Sequence, residues 1–121
     1  MAEDIKKIAE DLKGKKAKFK SLDGVPEGTK ALKLPKDVLD GMKQVFGANL
    51  SKVRVHVGGN SAELCKQIKA KAFTSGSNIV VMKPGFAKDS GLLAHELTHV
   101  IQQAGGKKMP KEQSGKVLIT K

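Results

Sequence analysis

Asp89-Ser90-Gly91-Leu92-Leu93-Ala94-His95-Glu96-Leu97-Thr98-His99-Val100-Ile101-Gln102-Gln103-Ala104-Gly105 reads as a helix with both ends marked. Asp89 or Ser90 can accept a hydrogen bond from the first free amides, and Gly105-Gly106 supplies a left-handed stop. At about 100° per residue, Leu93, Leu97, Val100, Ile101 and Ala104 form one aliphatic side, and His95 and His99 lie roughly opposite, one turn apart. So aliphatic a flank demands a sheet or other helices over it, which makes this stretch the centre of the core.

The same stretch carries the pattern His-Glu-x-x-His. Two imidazoles at i and i+4 reach one divalent ion such as zinc without bending the backbone, at about 2.0–2.1 Å from nitrogen to metal. Glu96 is then next to the ion but off the ligand line, where a carboxylate can take a proton from water activated by the metal. Those roles make His95 and His99 candidate ligands and Glu96 a candidate general base of peptide hydrolysis. A catalytic zinc usually has three protein ligands, and two residues compete for the third place. His56 is the only other histidine, and Glu112 is the only carboxylate after His99. Gln102 and Gln103 flank the histidines and could orient ligands or substrate. With no Tyr in the chain, oxyanion stabilisation falls to the metal, backbone amides, Arg54 or a lysine.

Outward from that helix, the remaining elements follow from period and punctuation. Ile5, Ile8, Ala9 and Leu12 recur at helical spacing in residues 2–13. Residues 15–28 read as a basic linker and a turn-rich connection. Pro35, then Val38, Leu39, Met42, Val45 and Phe46, with Gly47 as terminator, predict a second helix. Lys52 to Val57 alternates strictly and predicts a strand with three valines on one face and Arg54 with His56 on the other. Asn60 and Glu63 resemble a capping box for a helix bearing Leu64, Cys65, Ile68 and Ala72. Residues 72–74 and 78–82 predict a hairpin about Ser75-Gly76-Ser77. An exposed edge on that hairpin would offer an extended peptide backbone hydrogen bonds. Val117-Leu118-Ile119 would add a last strand.

At 121 residues and 39% hydrophobic, the chain suits one core domain with flanking tails. The boundaries expected are 1–29 for a basic N-terminal helix and linker, 30–106 for the metal-binding core, and 107–121 for a basic tail. The single Cys65 sits on an apolar helix face and reads as a buried, inert thiol. No apolar run approaches the roughly 18 residues of a membrane span, and no hydrophobic signal core follows Met1. Synthesis in the cytosol is therefore expected. The formal charge of +11 comes from 23 Lys and Arg, of which only Arg54 is arginine. Scattered lysines without Trp or Tyr argue against sequence-specific nucleic-acid recognition and leave a diffuse attraction to anionic surfaces.

Three motifs in order, Val53-Arg54-Val55-His56, Ala72 to Val80 and Leu92 to Gln103, resemble the core domain family of extracellular contractile injection systems. The likeness covers about residues 30–104. It implies a small α+β, zincin-like fold of three to four helices around a short sheet, with Zn2+ as cofactor and metallopeptidase chemistry. It also implies injection-machine components or toxin cargo as partners, beside a peptide substrate, and delivery outside the cell by such a machine. A non-catalytic, zinc-stabilised docking or cargo module satisfies the same pattern. The chain departs from the family at Val57-Gly58-Gly59, where many relatives have a Thr-Asp type pair.

Overall fold

The computed structural model describes residues 2–15, 18–105, 109 and 116–120. Helix α1 (Ala2–Leu12) leads into strands β1 (Lys18–Ser21) and β2 (Lys30–Lys33), followed by helix α2 (Lys36–Phe46) and strand β3 (Arg54–Val57). Helix α3 (Ser61–Gln67), the hairpin of β4 (Ala72–Ser75) and β5 (Asn78–Val81), a 3-10 turn (Pro84–Lys88), helix α4 (Ser90–Gln103) and strand β6 (Lys116–Thr120) complete it. The strands form one six-stranded sheet in the order β1-β6-β4-β5-β3-β2. The β3–β5 pair is parallel and the rest are antiparallel. The expected α+β class with a helix in the C-terminal half is what the chain adopts. No described helix is long and apolar enough to cross a membrane.

Strand alternation splits the core in two, one part on each face of the sheet. Val55, Ile79, Val81 and Ala72 meet Val38 and Met42 of α2, Leu93 and Leu97 of α4, and Ile5 of α1. On the reverse face Phe73, Val80, Val117 and Ile119 meet Leu64, Cys65 and Ile68 at α3. Three helices thus cover one face and α3 the other. The caps behave as their residue types dictate. The Asp89 carboxylate accepts from the Leu92 amide at 3.0 Å, and Gly47 takes the left-handed conformation at φ 67 while donating to the Lys43 carbonyl at 2.9 Å.

Several expectations need correction. The basic stretch read as a linker contains β1, which pairs with β6 from Lys18↔Ile119 to Ser21↔Lys116. Helix α1 is not an appendage either, since Ile5 is fully buried and α1 packs on both α2 and α4. The hairpin has no free edge: β4 is paired by β6 and β5, and β5 by β4 and β3. The edge expected to receive a guest peptide is filled by β6, a strand of five residues. Ala72 belongs to β4 and not to the preceding helix.

Asn60 makes no side-chain cap on α3. Its Oδ1 accepts from the Glu27 amide at 2.7 Å and its Nδ2 donates to the Val25 carbonyl at 2.9 Å, so it holds a distant loop instead. Beside it, Gly59 sits at φ 53, and a Cβ there would collide with the Glu27 carbonyl and the Gly28 backbone. Gly59 is what allows this loop to cross so closely. Gly59→Ala should therefore lower stability by on the order of 2 kcal/mol in urea unfolding, through both strain and clash. An unchanged midpoint would show that the loop yields freely.

Candidate metal centre on α4

Helix α4 is buried on most of its circumference. Leu93, Ala94, Leu97, Val100 and Ile101 pack inward, and Glu96 and Thr98 are buried with them. His95 and His99 are half-buried, with ring centroids 6.4 Å apart and planes at 81°. Two of their nitrogens, Nδ1 of His95 and Nε2 of His99, are buried without a hydrogen-bond partner. Buried polar atoms are nearly always satisfied, by protein, water or ligand, so two unpartnered imidazole nitrogens one helical turn apart are available to a cation. Lys15, in the turn after α1, comes close enough to His99 to act on its pKa. Burial, and then the neighbouring His95, lower the His99 pKa below its ordinary 6.5, which keeps the ring in the neutral form that metals bind. These residues fit zinc.

Glu96 is only 1% exposed, and its Oε1 accepts a 2.6 Å hydrogen bond from Thr74 Oγ1 of β4. Burial pushes its pKa up to about 8, against the lowering effect of the Thr74 bond. One neutral donor does not repay the desolvation of a carboxylate. A cation on the adjacent histidines would draw it back to the charged form.

Other residues singled out in the sequence lie elsewhere. His56 is in register with Val80, which belongs to the core on the α3 side, so the sheet separates it from α4. There its Nε2 meets Asn78 Oδ1 at 2.9 Å and its Nδ1 meets Thr29 Oγ1 at 3.3 Å. Arg54, on that same face, donates from Nη1 to the carbonyls of Ser51 and Val53 at 2.8 and 3.0 Å, and so holds its own loop rather than an oxyanion. Gln102 donates to the Ala9 carbonyl at 2.9 Å, clamping α1 onto α4, while Gln103 is exposed. Glu112 falls outside the described residues. Among those described, no three His, Cys, Asp or Glu converge on a metal position. Cys65 is fully buried, its pKa raised to about 11 by desolvation and then by Glu96, as an inert core thiol requires.

Two participants escaped the sequence reading. Thr74 lies on β4 and meets Glu96 on the α4 face, where a hydroxyl among apolar neighbours signals a buried polar partner. Lys15 comes near His99 from the turn after α1, a neighbour that the sequence of α4 cannot announce.

The model of the eCIS core domain family matches residues 33–107. No curated protein and no solved structure matches the chain.

The raised Glu96 pKa has a consequence for metal-free protein. The native carboxyl holds its proton up to about pH 8, the unfolded one only to about 4.5. The stability tied to protonation is complete below 4.5 and is lost as pH rises toward 8. His99 works in the opposite sense, costing stability only below its ordinary 6.5. Between pH 6.5 and 8 the chelator-treated wild type should therefore lose thermal stability relative to Glu96→Gln, by up to about 1.4 kcal/mol per pH unit. Parallel melting curves for the two proteins across that range would contradict it.

Proposed function

The chain belongs to the eCIS core domain family, and on that premise we propose that it is a zinc-dependent, peptidase-like domain working with a contractile injection system. The observation that carries this reading is the pair of buried, unpartnered nitrogens on His95 and His99. These two residues hold the ion, and the candidate third ligand Glu112 lies outside the described residues. Between the two sequence candidates for that place, His56 is disfavoured by its position across the sheet. Zinc supplies Lewis acidity there, activating water for attack on a peptide carbonyl at neutral pH.

The chain's own residues do the rest. Thr74 holds Oε1 of Glu96, which leaves Oε2 to take a proton from water and to return it to the departing amine. With Arg54 committed to its own loop, oxyanion stabilisation falls to the metal, backbone amides or a lysine, and a slow enzyme, or one acting on a tethered substrate, follows.

A second reading has its own support. Glu96 is almost fully enclosed and pinned to the sheet, as befits a carboxyl that steadies a zinc-stabilised docking or cargo module. The two readings separate on one variant. Zinc-loaded wild type should cleave denatured casein or its own chain, and chelator should stop it. Glu96→Gln should keep its zinc and lose at least about 100-fold in rate. Equal behaviour of wild type and variant, with zinc bound in both, would leave the module reading in place of the enzyme.

A further inference from the structure

The sheet face opposite α4 carries a cavity of about 280 Å³ where β3, β4, β5 and β6 end. Phe73, Val80 and Val117 form its floor, and Leu22, Val25 and Pro26 of the loop between β1 and β2 form its roof. His56, Asn78 and Lys116 stand around it. None of its lining residues is acidic.

This space is held open by hydrogen bonds that come from outside the loop. The Asp23 amide donates to Gln67 Oε1 at 2.7 Å, and Gln67 Nε2 donates to the Asp23 carbonyl at 3.0 Å. At the other end Asn60 binds the Glu27 amide and the Val25 carbonyl through its side chain, and its own amide donates to the Glu27 carbonyl at 3.1 Å. Gly59 makes room for that crossing. Leu22 at the start of the loop packs into the core with Phe73, Val80 and Val117, while the tied segment beyond it leaves the space open, with Val25, at 64% exposure, at its mouth. Voids between apolar walls forfeit dispersion contacts, so a pre-formed apolar space with a few polar groups at its rim is the signature of a ligand site.

Charge and size define the occupant. Lys116 is the one cation among the lining residues, and it is exposed on a chain of net charge +11. Asn78 spends Oδ1 on His56, which leaves its Nδ2 to donate. One ammonium and one amide donor match a single carboxylate, whereas a phosphate would call for the forked donors of arginine. The volume accommodates an apolar body of roughly ten heavy atoms.

We propose that the cavity beneath the 22–28 loop, walled by Phe73, Val80 and Val117 and rimmed by Asn78 and Lys116, binds a monocarboxylate with a compact apolar body. A free short-chain acid and the C-terminal apolar residue of a peptide present this same chemistry. The site is on the reverse of the sheet from His95 and His99, so its fate is independent of the metal.

The test is a heteronuclear NMR titration of the full chain that follows the His56 ring and the Val80 methyls. The probes are hexanoate, N-acetyl-leucine and hexylamine. Hexanoate or N-acetyl-leucine should saturate with a dissociation constant of about 1 mM or tighter. Hexylamine should produce no saturable shift. Lys116→Glu, a surface change that leaves the core intact, should weaken the carboxylate about tenfold, and Val25→Asp should do the same from the mouth. Tighter binding of N-acetyl-leucine identifies a peptide terminus as the source, and tighter binding of hexanoate a free acid. Absence of saturation by either carboxylate, equal binding of hexylamine, or indifference to Lys116→Glu in a folded variant would overturn the proposal.

Discussion

A buried carboxyl joined to a buried hydroxyl is the constraint around which this molecule is arranged. Thr74 on β4 donates to Glu96 on α4 inside an interface otherwise built of Leu93, Leu97, Ile79 and Ala72. An apolar interface alone would let a helix turn about its axis at small cost. A polar pair that must meet inside it fixes the rotation, because breaking the pair would leave a desolvated carboxyl unsatisfied. With Glu96 aimed at the sheet, His95 and His99 necessarily fall on the flank, one turn apart and half-buried. The candidate metal centre is thus a consequence of how α4 is clamped.

The clamp depends on parts of the chain that lie beyond the matched family region of residues 33–107. Helix α1 packs against α4, held by Ile5 in the core and by Gln102 on the Ala9 carbonyl. The turn that follows it brings Lys15 close to His99. Strand β1 and strand β6 extend the sheet past β4 and close its edge. The N-terminal helix and the last strand therefore shape the surroundings of the histidines without belonging to the motif. The sheet meanwhile serves two purposes, carrying the histidine pair on one face and the strapped cavity on the other.

Much of this was legible in the sequence wherever a period and a cap agreed. Helix α4 was marked by Asp89 and its aliphatic stripe, α2 by Pro35 and Gly47, and β3 by its valines. What escaped was set by partners remote in sequence. Lys18 to Ser21 carries three polar residues about Phe19 and looks like a solvated run, yet β6 recruits it, since an edge strand tolerates lysines that an interior strand would not. Asn60 has the spacing of a capping box, but the Glu27 amide and Val25 carbonyl compete successfully for its side chain. His56 has a face assigned correctly by alternation. The sequence does not reveal which face α4 would cover, and the third-ligand reading turned on that choice.

The central claim is that His95 and His99 are there to hold a metal ion. Its most direct test is X-ray absorption at the zinc edge together with elemental analysis, on protein made without a polyhistidine tag and on His99→Ala. One zinc per wild-type chain with two imidazole scatterers, lost in the variant, is the result this account predicts. Wild-type protein that stays empty in excess zinc, or zinc retained unchanged by His99→Ala, would contradict it.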